Sequence, residues 1–137
     1  MLNSTFNELT DRVKLHEGFR EKPYFDSQGI GTIGYGFTYL KKEECDKILD
    51  NRLKECCGLI EGYLANEGIS LDDFRTAILV EMTFQLGFKG VLGFKKMWRA
   101  IRDMDYERAA EEKKDSRWFR QTPTRSADLA NKMMKGY

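Results

Sequence analysis

The chain has 137 residues, of which 41% are hydrophobic and 33% are charged. This length and composition are typical of one globular domain and exclude a disordered or fibrous protein. The 23 basic and 22 acidic side chains give a net charge of +1, so no strong attraction to nucleic acid or to an anionic membrane is expected. No stretch approaches the ~18 consecutive apolar residues of a membrane-spanning helix.

The N-terminal sequence MLNSTFNELTDRVK contains acidic residues and lacks the apolar core of a secretory signal, so we expect the protein to accumulate in the cytoplasm. The three cysteines, Cys45, Cys56 and Cys57, form no C-x-x-C pair, and the chain has a single histidine. The first two cysteines would lie roughly 16 Å apart along one helix, which is too far for a disulfide. We therefore expect reduced thiols, and neither a metal site nor another cofactor.

Apolar residues in the first segment recur every three or four positions, at Leu2, Phe6, Leu9 and Val13. This spacing predicts a helix over about residues 4–17 that ends at Gly18. Thr5 and Glu8 have the T-x-x-E spacing of a capping box, which predicts the start of this helix.

The next segment predicts a glycine-rich β-hairpin over residues 23–37. The sequence DSQG is a turn signal, and apolar residues alternate with small ones from Thr32 to Phe37. Four glycines in this segment lack side chains, so a polymeric ligand could lie close to the backbone of the strand. They are Gly29, Gly31, Gly34 and Gly36.

The remainder of the chain has helical periodicity. Apolar residues over 41–65 predict one helix of ~25 residues, long enough to connect two halves of a molecule. Ser70 and Asp73 predict the N-terminus of a helix over 71–86. Shorter helices are predicted over residues 94–102, 105–114 and 123–134, the last with a proline in its first turn. The predicted fold class is α+β, mainly α, with a small N-terminal hairpin lobe, a long connecting helix and an all-α C-terminal lobe.

Two carboxylates flank the first strand of the hairpin. Glu17 continues the apolar stripe into the last helical turn, where partial burial and the helix dipole favour the protonated form that a general acid needs. Asp26 opens the hairpin turn, where backbone donors and water favour the ionised form. One protonated and one ionised carboxyl is the pair that hydrolyses glycosidic bonds. Thr32 adds a hydroxyl suited to holding a water molecule, although the spacing alone leaves a structural role open for all three residues.

The spacing E-x8-D-x5-T, within HEGFREKPYFDSQGIGTIGYG, resembles the catalytic segment of the phage-type (T-even) lysozyme family. Two further segments, EMTFQLGFKGVLGF (81–94) and SRWFRQTPTR (116–125), resemble C-terminal motifs of that family in the same order. The resemblance covers most of the chain and implies a two-lobed lysozyme-like fold in a single domain, 1–137. The expected parts are a small lobe over 14–40, a connecting helix over 41–66, and a helical lobe of 67–137 with 1–13.

The resemblance implies hydrolysis of the β-1,4 bond between N-acetylmuramic acid and N-acetylglucosamine in bacterial peptidoglycan, for host cell lysis. By position, Glu17 would be the general acid, Asp26 the second carboxylate and Thr32 the water-positioning hydroxyl. Arg125 would pair with the catalytic glutamate from the C-terminal lobe. The residues predicted to bind substrate are Phe84, Gln85, Arg125 and Thr38.

The resemblance also implies that a monomer reaches the cell wall from the host cytoplasm only after a holin-like pore has permeabilised the membrane. The chain departs from the family pattern at Phe37, where many relatives have histidine, and in the short segment 38–40, where most relatives have a third strand and a loop. These departures keep open a non-catalytic muramidase-fold module that binds glycan or protein. A lytic transglycosylase, which would use the acid alone, is a further alternative.

Overall fold

The computed structural model describes residues 1–114 and 116–137, which form two compact units, Met1–Lys47 and Ile48–Tyr137. The described chain is mainly helical with one two-stranded sheet, which confirms the predicted α+β, mainly α class. In chain order the elements are α1 (Asn3–Glu17), β1 (Arg20–Phe25), β2 (Gly31–Gly34), α2 (Lys42–Asn66), α3 (Asp73–Leu86), α4 (Phe88–Leu92), α5 (Lys95–Arg102), α6 (Tyr106–Lys114), α7 (Arg117–Gln121) and α8 (Pro123–Lys135).

The first helix ends where the sequence predicts but begins without a cap. Its N-cap residue is Leu2, and no side chain accepts a hydrogen bond from the exposed N–H groups of the first turn. Thr5 lies inside that turn, so the predicted capping box is wrong. At the other end Gly18 donates its backbone N–H to Lys14 O at 2.9 Å, which closes the helix directly after Glu17.

The predicted hairpin is confirmed, although β1 begins at residue 20, earlier than expected. The strands pair antiparallel, with Tyr24 opposite Thr32. At the end of β2, Ile33 exchanges two backbone hydrogen bonds of 2.9 Å with Phe37, which close a tight turn over the three residues between them. This turn ends the alternation that the sequence suggested would continue to residue 37.

The N-terminal unit has almost no apolar core. Among residues 1–47, all of which the structure describes, only Thr32 is buried. The large apolar side chains of the unit are instead well exposed, including Leu2, Phe6, Phe19, Phe25 and Tyr39. Hydrogen bonds, turns and side-chain contacts at the surface therefore fix the positions of its functional residues.

The long helix α2 is confirmed, and so are the helices α3, α5, α6 and α8. The predicted cap of α3 is wrong: Asp72, not Ser70, is the N-cap residue, and its carboxylate accepts the backbone N–H of Arg75 at 2.9 Å. The short helices α4 and α7 were not predicted, because five residues are too few to show helical periodicity. None of the described helices combines the length and the apolar content needed to cross a membrane.

The C-terminal unit has a continuous apolar core. The ring of Trp98 lies 4.7 Å from that of Tyr63, centroid to centroid, and its indole N–H donates to Val91 O at 3.0 Å. The bond satisfies the polar atom of a large buried aromatic side chain. The core side chains that are fully or almost fully buried include Ile60, Leu79, Met82, Val91, Met97, Ile101, Leu129 and Met133.

Arg75 joins three helices at the edge of this core. Its Nε donates to Met133 O at 2.7 Å and a terminal nitrogen donates to Met134 O at 3.1 Å, near the C-terminus of α8. Its guanidinium carbon lies 3.6 Å from the ring centroid of Tyr106 on α6. One cation therefore satisfies carbonyl groups that have no partner within α8 and contacts an aromatic face.

Lys113 on α6 is fully buried, and its Nζ makes no hydrogen bond to any residue that the structure describes. Burial without a partner disfavours the charged ammonium and lowers the pKa of Lys113 to about 7. When the ammonium group is protonated in the folded protein, this lysine therefore lowers the stability of the C-terminal unit.

We expect stability to rise with pH between about 7 and 10.5, because over this range the unfolded state binds the proton that the folded state has lost. The slope from this group should reach about 1.4 kcal/mol per pH unit, and below pH 7 the penalty should be complete. Lys113→Met should therefore exceed the wild type in stability at pH 7, by a margin that shrinks as the pH rises. Urea unfolding at several pH values measures this. Lys114→Met is the exposed control, and a margin that stays constant with pH would contradict the assignment.

Candidate active site

Glu17 lies at the C-terminal end of α1 and is exposed, so the expected partial burial of this residue is wrong. Its carboxylate lies against the turn that follows β2: a Cβ atom added to Gly36 would lie 2.7 Å from Glu17 Oε2. Within the N-terminal unit, all of which the structure describes, the carboxylate accepts no hydrogen bond. A proton on the Glu17 carboxyl would therefore have no acceptor within this unit, and the carboxyl group could donate it to a bound ligand.

Asp26 is held by the backbone of its own turn. Its Oδ1 accepts the N–H groups of Gln28 at 2.8 Å and Ile30 at 2.9 Å. The backbone closes the same loop, since Asp26 N donates to Ile30 O at 2.9 Å and Gly29 N donates to Asp26 O at 3.0 Å. These bonds fix the orientation of the carboxylate and leave Oδ2 without a partner among the described residues.

Thr32 is 5% exposed, and its hydroxyl donates to Ile30 O at 2.9 Å. The donated bond fixes the hydroxyl and leaves its oxygen able to accept a hydrogen bond from a water molecule. Thr32 and Thr38 both line a cavity of about 200 Å³ in the N-terminal unit, whose remaining lining residues are Pro23, Gly31, Ile33, Phe37, Tyr39 and Leu40. The structure thus brings two predicted site residues to one cavity.

Phe84 and Arg125 line a second cavity, of about 540 Å³, within the C-terminal unit. Arg125 Nε donates to Glu81 Oε1 at 2.9 Å at the edge of this cavity, and both side chains of the pair are less than half exposed. The other lining residues are Leu49, Leu53, Cys57, Ala77 and Val80. No sequence motif singled out Glu81, although its place three residues before Phe84 puts the two on one face of α3.

Gln85 has a different environment from its neighbour Phe84. Its Oε1 accepts the indole N–H of Trp118 at 2.9 Å, and its Nε2 donates to Thr122 Oγ1 at 3.4 Å. The amide therefore connects α3 to α7 and to the start of α8, and Trp118 is 5% exposed. This tryptophan belongs to the core of the C-terminal unit. Contact between Gln85 and a glycan stays a prediction.

The predicted residues are divided between the two units. Glu17, Asp26, Thr32 and Thr38 belong to the N-terminal unit, and Phe84, Gln85 and Arg125 belong to the C-terminal one. The expected pair between Arg125 and Glu17 stays a prediction, as does the expected grouping of residues 1–13 with the C-terminal helices.

Comparison with known proteins decides the family. The model of the phage lysozyme family matches residues 14–134. The chain belongs to this phage lysozyme family. It is 30% identical to probable T4-type lysozyme 2 and 27% identical to probable T4-type lysozyme 1, both of Dictyostelium discoideum, over 88% of this chain and 89% of each relative. It is also 25% identical to the pre-baseplate central spike protein Gp5 of Enterobacteria phage T4, over 93% of this chain and 28% of that protein.

Membership in the phage lysozyme family supports a lysozyme-like function. The matched range includes Glu17, Asp26 and Thr32, as well as all three predicted residues of the C-terminal unit. The resemblance drawn from the sequence motifs is therefore confirmed at the level of the family.

Substitution of each member of the Arg125–Glu81 ion pair tests whether the guanidinium itself contacts substrate. An ion pair this exposed contributes about 0–1 kcal/mol to stability, so Arg125→Ala and Glu81→Gln should both unfold close to the wild-type temperature. If Arg125 contacts substrate through charge-assisted hydrogen bonds, Arg125→Ala should lower kcat/KM on peptidoglycan roughly 10- to 100-fold. Glu81→Gln breaks the same pair but retains the guanidinium, and it should keep most of the activity. Equal losses in the two variants would show that only the ion pair matters.

Proposed function

We propose that this protein is a lysozyme that hydrolyses the β-1,4 bond between N-acetylmuramic acid and N-acetylglucosamine in bacterial peptidoglycan. The observation that carries the proposal is the family match over residues 14–134, which includes the E-x8-D-x5-T residues. The geometry of the N-terminal unit supports it, because an exposed glutamate, an oriented aspartate and a fixed threonine hydroxyl all belong to one helix end and one hairpin.

The roles follow from the chemistry of glycosidic bonds. The leaving oxygen of a sugar needs a proton as the bond breaks, and Glu17 would donate it. Positive charge develops on the sugar in the transition state, and the carboxylate of Asp26 would stabilise that charge. A water molecule must add to the sugar and lose a proton, which would pass to Asp26 or to the carboxylate that Glu17 becomes after its own transfer; the oxygen of Thr32 would accept a hydrogen bond from this water.

The residues of the C-terminal unit would bind the glycan. Phe84 is 39% exposed and presents an aromatic surface on which a sugar ring would pack. Arg125 would donate charge-assisted hydrogen bonds. Gln85 would contribute mainly by holding Trp118, since its amide already bonds to two side chains. Thr38 would contact substrate from the hairpin side.

Two alternatives predict different behaviour. A non-catalytic glycan-binding module would bind peptidoglycan without cleaving it, so it would not depend on a proton donor. A lytic transglycosylase would use Glu17 but not Asp26, and its product would carry a 1,6-anhydro end in place of a free reducing end. The intact pair of carboxylates favours hydrolysis over both.

Substitution of the two carboxylates tests the proposal. Glu17→Gln keeps the size of the side chain but removes the proton donor, so the rate of clearing of purified peptidoglycan should fall by at least ~10²–10⁴-fold. Asp26→Asn removes the charge but keeps an oxygen that accepts the N–H groups of Gln28 and Ile30, so it should be equally inactive without loss of the turn. Thermal unfolding of both variants serves as the control for folding.

Each alternative has its own result in this experiment. Unchanged clearing by Glu17→Gln would end the lysozyme proposal. Full activity of Asp26→Asn, with anhydro products seen by mass spectrometry, would favour the transglycosylase. Binding to peptidoglycan without any soluble product from the wild type would identify a binding module.

We also propose that the protein lyses its host from within, as a monomer in the cytoplasm that requires a separate membrane pore. A folded protein of 16.0 kDa with 33% charged residues does not cross the inner membrane unaided, because its charged surface would have to enter hydrocarbon. The wall would then become accessible only when a holin-like partner opens the membrane.

Expression of the protein alone in bacteria tests this requirement. Cultures should grow normally until chloroform breaches the membrane, and should then clear rapidly. The matched control is Glu17→Gln, whose cultures should not clear after the same treatment. Spontaneous lysis by the wild type, without chloroform, would show that the protein reaches the wall without a pore.

A further inference from the structure

The turn after β2 closes against the end of α1 through three side-chain contacts. The ring centroids of Phe19 and Tyr35 are 5.2 Å apart. The ammonium of Lys14 lies 5.8 Å from the centroid of the Tyr35 ring. The carboxylate of Glu17 lies beside Gly36, with Oε2 2.7 Å from the point at which a Cβ atom would lie. The contacts of Phe19 and Lys14 with Tyr35 hold the turn. The contact of Glu17 with Gly36 places the carboxylate against the backbone of the turn.

Glycine is needed at position 36 for two separate reasons. Its φ of +78° belongs to the left-handed region, which other residues rarely adopt. In addition, the Cβ atom of any other residue would lie 2.7 Å from Glu17 Oε2, and separations below 3.0 Å are essentially not found for real Cβ atoms, so the flexible side chain of Glu17 would have to move. A side chain at position 36 would therefore displace Glu17 or the turn.

The contact matters because little else within the N-terminal unit holds Glu17. The residue is exposed, it lies at a helix end, and its carboxylate accepts no hydrogen bond from another residue of that unit. A long side chain in this situation samples several rotamers unless packing limits it. The backbone at Gly36 blocks one side of the carboxylate and so narrows the positions open to it.

We propose that Gly36 positions the carboxyl group of Glu17 for proton transfer, and that Tyr35 anchors the turn that carries it. This inference rests on the proposed function, in which Glu17 is the general acid. Both are positioning residues, since they act through Glu17 and not on the substrate. A general acid must lie within hydrogen-bond reach of the leaving oxygen, so restriction of its side chain lowers the cost of reaching the reactive geometry.

The chain offers a matched control for Gly36. Gly68, in the connection between α2 and α3, also has a positive φ, of +65°, but a Cβ atom there would meet nothing within 4 Å. Gly36→Ala and Gly68→Ala therefore introduce comparable backbone strain, and only the first crowds the carboxylate. Gly36→Ala should lower kcat on peptidoglycan by roughly 10²-fold with little change in KM, as expected for a displacement of about 1 Å. Gly68→Ala should keep kcat within about twofold of the wild type.

A second pair of variants covers the case in which Gly36→Ala does not fold. Tyr35→Ala removes the ring that contacts Phe19 and Lys14 without adding backbone strain, and it should lower kcat by about tenfold. Tyr35→Phe keeps the ring and should retain wild-type kcat. Equal kcat for Tyr35→Ala and Tyr35→Phe would overturn the role of the turn.

A spectroscopic measurement separates this inference from the proposed function. The ¹³C signal of the Glu17 carboxyl carbon, in protein labelled at glutamate, should move in Gly36→Ala and Tyr35→Ala and keep its position in Gly68→Ala and Tyr35→Phe. An unmoved signal together with wild-type kcat in Gly36→Ala would refute the positioning role, even if Glu17→Gln is inactive. A moved signal in a protein whose Glu17→Gln variant stays active would refute the proposed function and leave the contact standing.

Discussion

The N-terminal unit depends on a backbone constraint at Gly34 and Gly36. Both residues have a positive φ, and together they let the chain reverse so that Ile33 and Phe37 exchange two hydrogen bonds. Each glycine also leaves room for a neighbouring side chain: a Cβ atom at Gly34 would lie 2.9 Å from the ring of Phe37, and one at Gly36 would meet Glu17. The same turn therefore reverses the chain after the hairpin and lies against the carboxylate that would do the chemistry.

The two units are stabilised in different ways. The C-terminal unit has a buried apolar core around Trp98, and Arg75 ties three of its helices together. The N-terminal unit buries Thr32 alone among residues 1–47, so its geometry comes from turns and hydrogen bonds such as those of Asp26. Regions with few buried apolar contacts open at low free-energy cost. The catalytic candidates thus lie in the part of the molecule with the least packing to resist local opening.

The environment of each predicted binding residue changes how it can act. Arg125 already has a carboxylate partner in Glu81, so a glycan bound there would compete with Glu81 for the guanidinium or share it. Gln85 uses its amide to hold the buried indole of Trp118, which makes it a link between helices. Phe84 and Arg125 line one cavity although 41 positions separate them in sequence, which reflects the packing of α3 against α8.

Local sequence patterns determined the helices, the hairpin and the identity of the candidate carboxylates, because periodicity, turn residues and motif spacing are properties of neighbouring residues. The motif E-x8-D-x5-T singled out Glu17, Asp26 and Thr32 as candidates, and the family match covers all three positions. Only the tertiary structure revealed the exposure of Glu17, the ion pair between Glu81 and Arg125, and the buried ammonium of Lys113. Burial and pairing depend on which segments meet in space, and no local pattern contains that information.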